Sequence, residues 1–403
     1  MNLKDRLSHV RSLGGILHGG RAFGGPFFAN IWLINRCNIR CMHCPFFSPE
    51  IENPIPYSVR RERLKGANLS EKRHRELVNE HEHQRDADGK RTCSVIDDLL
   101  KMGTRRFFFT GSGEPFLHKD ILDFMGRVKK AGSSCVVYTN GTLLNPGKID
   151  EIIAMKADEL RVSIMAGTRD TYMRTHVGIR DDTFDTLRDN LLYLKEQKAA
   201  KGAKRPVVTL INVITSLNYQ GLHDFAGFAY QVGADKVSFQ PFDTFNDQAL
   251  SKMELTDEQA RSVREQLVES KTFLSSGSII NNADIFLKFF QRKLDTMELY
   301  HIIPCYIGWL GIRLQLNGEV NLCCRCYEPL GNIFSESIEE IWHGKSYKMF
   351  RKEAFEINKR GTTVQGCDCN TCPHYALNLK VYQALHPFKG KQTELNTYVE
   401  RSD

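Results

Sequence analysis

Short apolar runs alternate along the first 240 residues with longer segments whose apolar residues recur at helical spacing. Runs rich in β-branched and aromatic residues predict six strands, at residues 27–34, 107–109, 135–138, 160–164, 207–214 and 236–239. Helical spacing precedes several of them, as in Ile121, Leu122, Phe124, Met125 and Val128. Strands that alternate with helices predict a parallel sheet wrapped by helices, and six strands are too few to close a complete barrel. The pattern therefore predicts an α/β fold with an open, partial (β/α)6 barrel.

Three parts of the chain depart from this alternation. Residues 46–91 form a charge-rich insertion, which is either a solvated helical excursion or a lid over the barrel mouth. Residues 246–300 predict a mostly helical connection, and a cysteine-rich composition from residue 301 onward predicts a second, smaller domain. The expected organisation is an extension at 1–26, the barrel at 27–245, the connection at 246–300, the smaller domain at 301–380 and a tail at 381–403.

Composition and charge narrow the classes of function. Of the 403 residues, 41% are hydrophobic and 26% are charged, which is typical of a globular protein, and no apolar stretch is long enough to cross a bilayer. The amino terminus lacks the apolar segment of a secretory signal, so twelve cysteines favour metal or redox chemistry in a reducing compartment. We therefore expect a cytoplasmic protein. A net charge of +7, with basic and acidic residues interleaved, predicts no nucleic-acid partner.

Cys37, Cys41 and Cys44 follow the first predicted strand directly. Parallel α/β folds place their active sites at the carboxyl ends of the strands, where this loop is expected to lie. Three thiolates at this spacing can hold three irons of a four-iron cluster and leave one iron open to a substrate or cofactor. A zinc site is the alternative, but zinc usually takes four ligands in two pairs, and only His43 lies nearby as a further ligand.

The three-cysteine loop resembles the signature of radical S-adenosylmethionine (radical SAM) enzymes, in which the open iron chelates the methionine moiety of SAM. Residues 110–115, Thr-Gly-Ser-Gly-Glu-Pro, resemble the Gly-Gly-Glu-Pro motif of that family, and residues 138–142 resemble its Thr-Asn-Gly segment. The resemblance implies that SAM is bound by Gly111, Ser112, Gly113, Glu114, Asn140, Ser163 and Arg174. Ordinary roles remain open for these positions, since Asn-Gly is a common turn and a surface arginine needs no ligand.

A second group of cysteines lies near the carboxyl end. This group resembles the SPASM/Twitch extension of radical SAM enzymes in its positions Cys305, Gly318 and Cys323 and in the later pair Cys369 and Cys372. This implies an auxiliary 4Fe-4S cluster on Cys305, Cys323, Cys369 and Cys372, with Cys367 as the substitute ligand. A single-cluster Twitch form is expected because no cysteine follows Cys372. Zinc on the same thiolates is the alternative.

Two further cysteines, Cys324 and Cys326, flank this auxiliary site. Either is a candidate hydrogen-atom donor to a substrate radical, or both are bystanders. In total the resemblance covers roughly residues 27–245 and 300–376, and it leaves the insertion and the tail outside.

The resemblance implies an oxidoreductase or epimerase that cleaves SAM to a 5′-deoxyadenosyl radical and abstracts hydrogen from an unactivated C–H bond. We expect a small-molecule substrate, with a sugar, aminocyclitol or glycan favoured, because the stretch before residue 27 is too short for a leader-binding domain. A maturase of a ribosomal peptide or protein side chain is the alternative. The expected electron donor is a flavodoxin- or ferredoxin-type reductant. A non-enzyme alternative is an iron–sulfur electron-transfer protein, which normally closes its clusters with four protein ligands, unlike the three-cysteine loop.

Overall fold

A ten-stranded sheet runs through the computed structural model, which describes residues 12–51, 86–244, 247–290, 296–370 and 372–386. The strands are β1 (Phe28–Trp32), β2 (Arg40–Cys41), β3 (Arg106–Thr110), β4 (Ser134–Thr139), β5 (Glu159–Ser163), β6 (His176–Val177), β7 (Val207–Ile214), β8 (Lys236–Pro241), β9 (Ile280–Asn281), β10 (Gly311–Leu314), β11 (Glu319–Asn321) and β12 (Gly331–Asn332). Six of them, β1, β3, β4, β5, β7 and β8, lie side by side in chain order, and every pairing is parallel. The predicted six-stranded partial barrel is confirmed.

Helices lie between the strands, and in the described part of the chain four more helices follow the last strand. They are α1 (Gly89–Lys101), α2 (Ile121–Lys130), α3 (Pro146–Ala154), α4 (Arg169–Thr175), α5 (Thr183–Ala200), α6 (Leu222–Gln231), α7 (Asp257–Ser276), α8 (Ala283–Phe290), α9 (Thr296–Tyr300), α10 (Ile307–Leu310), α11 (Ile338–His343), α12 (Lys345–Phe355), α13 (Ile357–Arg360) and α14 (Tyr375–Leu385). In α1, Asp88 caps the first turn by accepting from the Arg91 amide, and Val95, Ile96 and Leu99 are buried. The apolar stripes that predict the helices are the faces that pack on the sheet.

The carboxyl-terminal region extends the same sheet. Its first strand, β10, pairs in parallel with β1, and β10, β11 and β12 then form an antiparallel meander. The sheet order is therefore β12-β11-β10-β1-β3-β4-β5-β7-β8-β9. Because β10 lies directly beside β1, the second group of cysteines is attached to the barrel next to the strand that precedes the three-cysteine loop.

The expected helical connection also contributes a strand. Residues 280–281 form β9, which pairs in parallel with β8 at the end of the sheet. Two residues are too short a run to show a period of two in sequence, so the pattern of hydrophobic positions does not predict this strand.

Some expectations fall partly outside the described residues. These are the beginning of the extension 1–26, most of the insertion 46–91 and the end of the tail 381–403. The proposed lid over the barrel mouth thus concerns residues of which the structure gives no description. In the described part of the chain, no helix combines the length and apolar character that a membrane crossing needs.

Candidate active site

The three-cysteine loop is fixed on two sides where it leaves the sheet. Arg36 forms a two-pronged ion pair with Asp86, with Nε–Oδ1 and Nη2–Oδ2 distances of 2.8 and 2.9 Å, and its Nη2 also donates to the Leu117 carbonyl at 2.9 Å. Cys41 lies in β2, which pairs antiparallel with β6 so that Cys41 stands opposite His176. The loop is therefore held by contacts to distant parts of the chain as well as by its own turns.

The three thiols lie within electrostatic reach of one another. Burial, with the charges of Glu114 and Cys44 contributing, raises the pKa of Cys37 to about 12. Burial also raises the pKa of Cys41, with Cys44 and Cys37 contributing. Three neighbouring thiolates in a poorly hydrated site repel one another unless a cationic group binds them, so this set of donors fits an iron–sulfur cluster.

Backbone and side-chain donors already point at two of these sulfurs. The amides of Phe46 and Phe47 lie 3.4 and 3.3 Å from Cys44 Sγ, and Asn140 Nδ2 lies 3.8 Å from Cys37 Sγ. Within the described ranges, no three His, Cys, Asp or Glu side chains converge closely enough to hold one metal ion.

The glycines of the loop after β3 pack against the three-cysteine loop. A Cβ atom at Gly113 would lie 1.8 Å from the Arg36 carbonyl oxygen, and one at Gly111 would lie 2.6 Å from the Ile34 carbonyl oxygen. Between them, Ser112 Oγ donates to Asn35 Oδ1 at 2.6 Å. These glycines permit a close approach to the backbone that leads into Cys37.

Glu114 is buried and joins the ends of β3 and β4. Its carboxylate accepts from Thr139 Oγ1 at 2.7 Å, from the Asn140 amide at 2.6 Å and from the Phe116 amide at 3.0 Å. Burial raises the pKa of Glu114, and these hydrogen bonds oppose that effect. Asn140 in turn donates to Asn38 Oδ1 at 2.9 Å. The structure thus brings Glu114 and Asn140 to the three-cysteine loop.

The last two predicted SAM-binding residues lie further along the chain. Ser163 ends β5 and is half-buried at the same edge of the sheet. Arg174 is exposed on α4, and its Nη2 donates to Thr171 Oγ1 at 3.2 Å. The structure therefore places Ser163 on the side of the sheet where the cysteine loop lies and leaves Arg174 on an exposed helix face.

Tyr172 and His176 also belong to this site, although the sequence analysis did not select them. Both are 1% exposed, and their rings stack with centroids 4.1 Å apart. His176 Nδ1 donates to the Tyr172 carbonyl at 3.1 Å, and burial lowers the pKa of His176 to about 4, so the imidazole is neutral at pH 7. Among the described residues, neither the Tyr172 hydroxyl nor His176 Nε2 has a hydrogen-bond partner. A tyrosine and a histidine four positions apart are an ordinary core pattern, and only the pairing of His176 with Cys41 reveals their location.

The structure brings the four predicted auxiliary ligands together. Cys305, Cys323, Cys369 and Cys372 are free thiols that line one small interior space. Burial, with the charges of neighbouring cysteines contributing, raises the pKa of Cys369 and of Cys372 to about 12. Three buried thiols and the half-buried thiol of Cys372 would repel one another as thiolates unless a cationic group binds them, so they fit a metal–sulfur group.

The remaining cysteines of this region are in two different states. Cys326 and Cys367 form a disulfide bond, so in this structure Cys367 is not available as the substitute ligand and Cys326 carries no thiol hydrogen. Cys324 is a free, exposed thiol.

Two buried arginines connect the auxiliary cysteines to the barrel. Arg313 Nη1 donates to the Cys323 carbonyl at 3.2 Å, and its guanidinium carbon lies 3.9 Å from the centre of the Trp32 ring at the end of β1. Arg325, between Cys324 and Cys326, forms an ion pair with Asp243 just after β8. The second group of cysteines is thereby tied to the carboxyl ends of two barrel strands.

Comparison with known proteins agrees with this architecture. A family model described as the radical SAM superfamily matches residues 32–229, and a model described as an iron–sulfur cluster-binding domain, SPASM, matches residues 305–373. The tungsten-containing aldehyde ferredoxin oxidoreductase cofactor-modifying protein of Pyrococcus furiosus is 22% identical over 66% of this chain and 75% of its own length. The antilisterial bacteriocin subtilosin biosynthesis protein AlbA of Bacillus subtilis is 21% identical over 88% of this chain and 67% of its own length. Among solved structures, Streptococcus suis SuiB bound to its precursor peptide SuiA superposes with a TM-score of 0.57 at 12% identity, over 87% of this chain and 72% of SuiB.

Proposed function

Because the chain belongs to the radical SAM superfamily and carries a SPASM iron–sulfur domain, we propose that it is a maturase that modifies a ribosomal peptide or a protein side chain. It is an iron–sulfur enzyme whose cofactors are a SAM-binding 4Fe-4S cluster, SAM and an auxiliary cluster. When bound, the cluster and SAM supply, with one electron from a flavodoxin- or ferredoxin-type reductant, a radical that takes a hydrogen atom from an unactivated C–H bond.

The observation that carries this proposal is the similarity to AlbA, which runs through both domains and 88% of the chain. Structural likeness to SuiB with its precursor peptide is in keeping with it. The expectation of a small-molecule substrate was based on the length of the stretch before residue 27. That length says nothing about the residues that line the site. A second candidate function keeps a small molecule as substrate, because the Pyrococcus furiosus relative is named for modifying a cofactor.

Each part of the site has a defined task under this proposal. Cys37, Cys41 and Cys44 hold the SAM-binding cluster, while Glu114 and Asn140 fix the loop that presents them. Tyr172 and His176 close the inner side of that loop and exclude water, which protects a radical from side reactions. Cys305, Cys323, Cys369 and Cys372 hold the auxiliary cluster, and the exposed thiol of Cys324 remains a candidate hydrogen-atom donor for an epimerase.

The substrate class can be tested without knowing the substrate. Cells of the producing organism would be grown in deuterated medium, and their anaerobic extract would be separated into small-molecule and macromolecular fractions. Reconstituted enzyme, dithionite and unlabelled SAM would be added to each fraction, and deuterium in 5′-deoxyadenosine would be measured by mass spectrometry. A C–D bond broken in the substrate labels this product.

We expect label from the macromolecular or peptide fraction, and loss of that label after protease treatment. A Cys41→Ala variant is the matched control and forms no labelled product. Label that appears only with the small-molecule fraction and survives protease contradicts the maturase and favours the second candidate function.

A further inference from the structure

Tyr300 and Asn378 form a hydrogen-bonded pair beside the auxiliary thiols. Tyr300 ends α9, Asn378 lies in α14, and both side chains are 0% exposed. Asn378 Nδ2 lies 2.7 Å from the Tyr300 hydroxyl oxygen, and that oxygen lies 3.0 Å from Cys372 Sγ. Asn378 Nδ2 also lies 3.8 Å from Cys305 Sγ. The pair therefore touches two of the four predicted auxiliary ligands.

The hydrogen-bonding capacity of the groups fixes the direction of each bond. Asn378 Oδ1 accepts from the Tyr306 amide at 2.7 Å, which sets the amide orientation and turns the amide nitrogen toward Tyr300. That nitrogen can only donate, so the Tyr300 oxygen accepts from it. A thiolate that holds a cluster has no hydrogen to donate, so the hydroxyl hydrogen of Tyr300 is donated to Cys372 Sγ. The second amide hydrogen of Asn378 is left for Cys305 Sγ.

We infer that Tyr300 and Asn378 are positioning residues that donate hydrogen bonds to the Cys372 and Cys305 thiolates and thereby raise the reduction potential of the auxiliary cluster. A hydrogen bond to a ligand sulfur stabilises negative charge on that sulfur. Because reduction adds negative charge to the cluster, the bond stabilises the reduced cluster more than the oxidised one. A buried setting strengthens such bonds because water does not screen them. This inference rests on the proposed auxiliary cluster and goes further by assigning the groups that set how readily it accepts an electron.

The test is a Tyr300→Phe variant of the full-length, anaerobically reconstituted protein, which removes one oxygen atom and keeps the ring. Iron content is measured first, and the potentials of both clusters are then measured by redox titration followed by electron paramagnetic resonance. We expect the equilibrium constant for one-electron reduction of the auxiliary cluster to fall about tenfold, which lowers its reduction potential by about 59 mV. The cluster on Cys37, Cys41 and Cys44 serves as a reference in the same molecule and keeps its potential.

Tyr347→Phe is the matched control. Tyr347 is 0% exposed and lies within electrostatic reach of Cys323, but its hydroxyl has no hydrogen-bond partner within the described ranges. Its loss is therefore expected to shift the auxiliary potential much less than Tyr300→Phe does and to leave the first cluster unchanged. Incorporation of 3,5-difluorotyrosine at position 300 provides a second variant that keeps the hydroxyl and makes it a stronger donor. This variant should shift the auxiliary potential upward, and it remains informative if Tyr300→Phe does not fold.

The outcomes separate the inference from the proposal beneath it. If the wild type holds two clusters and the auxiliary potential moves down with Tyr300→Phe and up with the fluorinated residue, the inference stands. If two clusters are present and the auxiliary potential moves with neither variant, the inference is wrong while the auxiliary cluster stands. Zinc in place of the second cluster in the wild type overturns both.

Discussion

Replacing Gly113 by alanine should displace the three-cysteine loop. The added Cβ would lie 1.8 Å from the Arg36 carbonyl oxygen, whereas real Cβ atoms essentially never approach another heavy atom within 3.0 Å. The two backbones must therefore separate by about 1.2 Å, the difference between these two distances. The hydrogen bond from the Glu114 amide to the Arg36 carbonyl, now 3.1 Å, would lengthen beyond 4 Å and break.

These two effects set the size of the loss. One broken hydrogen bond costs about 1 kcal/mol and overpacking against rigid backbone costs about 1–3 kcal/mol, so the free energy of unfolding should fall by about 2–4 kcal/mol. Because Arg36 directly precedes Cys37, the variant should also lose iron from the first cluster and keep the auxiliary cluster. Urea unfolding and iron content would measure the two effects.

Gly126→Ala is the matched control. Gly126 lies within α2, and a Cβ there would meet no atom within 4 Å, so alanine should raise stability by about 0.8–1 kcal/mol through helix propensity alone. Neither glycine has a positive φ, so neither substitution forces alanine into a left-handed backbone conformation. If Gly113→Ala unfolds at the wild-type urea concentration and keeps all its iron, the close approach of the two loops is wrong.

Three further predictions concern groups around the same loop. Glu114→Gln puts a side-chain amide opposite a backbone N–H donor and should lower the free energy of unfolding by about 1.5–3 kcal/mol, with loss of iron. Unchanged urea unfolding and iron content would contradict the role of Glu114 in fixing the three-cysteine loop. Burial lowers the pKa of His176 to about 4, so between pH 6.5 and 4 the unfolded chain binds more protons than the folded one. The free energy of unfolding should therefore decrease as the pH is lowered through this range. This group accounts for about 2 kcal/mol between pH 7.5 and 5, so His176→Phe should flatten the measured slope, and an equal slope would refute the assignment. Arg174→Ala should weaken SAM binding in equilibrium dialysis less than about fivefold because Arg174 is exposed, and a larger loss would support its role at the SAM carboxylate.

The strands of the barrel could be predicted because their patterns are long enough to read. Residues 207–214 and β7 coincide, and β1 lies within the predicted run 27–34. The two-residue strands β2, β6, β9 and β12 are too short to show a period of two in the sequence. The pairing of Cys41 with His176 could therefore be found only from the structure. Local patterns identify the long strands, whereas the short strands that hold the cysteine loop against His176 appear only in the structure.

The resemblance to the SPASM/Twitch extension implied which auxiliary cysteines come together, but it did not indicate their neighbours. The four auxiliary thiols meet as expected, but nothing in the sequence indicates that Cys326 and Cys367 pair or that Tyr300 reaches Cys372. Likewise, a glycine-rich turn predicts close approach without naming the partner, and the partner of Gly113 is the cysteine loop. Contacts between segments far apart in the chain depend on the folded topology, which residue spacing does not encode.

The central claim is that the chain holds two iron–sulfur clusters on two separate sets of cysteines. Iron, sulfide and zinc content with Mössbauer spectra test it most directly on anaerobically purified protein. Wild type would be compared with a variant that replaces Cys37, Cys41 and Cys44 by alanine and with one that replaces the four auxiliary cysteines. The account predicts about eight irons in the wild type and about four in each variant, with cubane spectra throughout. About four irons in the wild type, none in the first variant and zinc at the second site would contradict it.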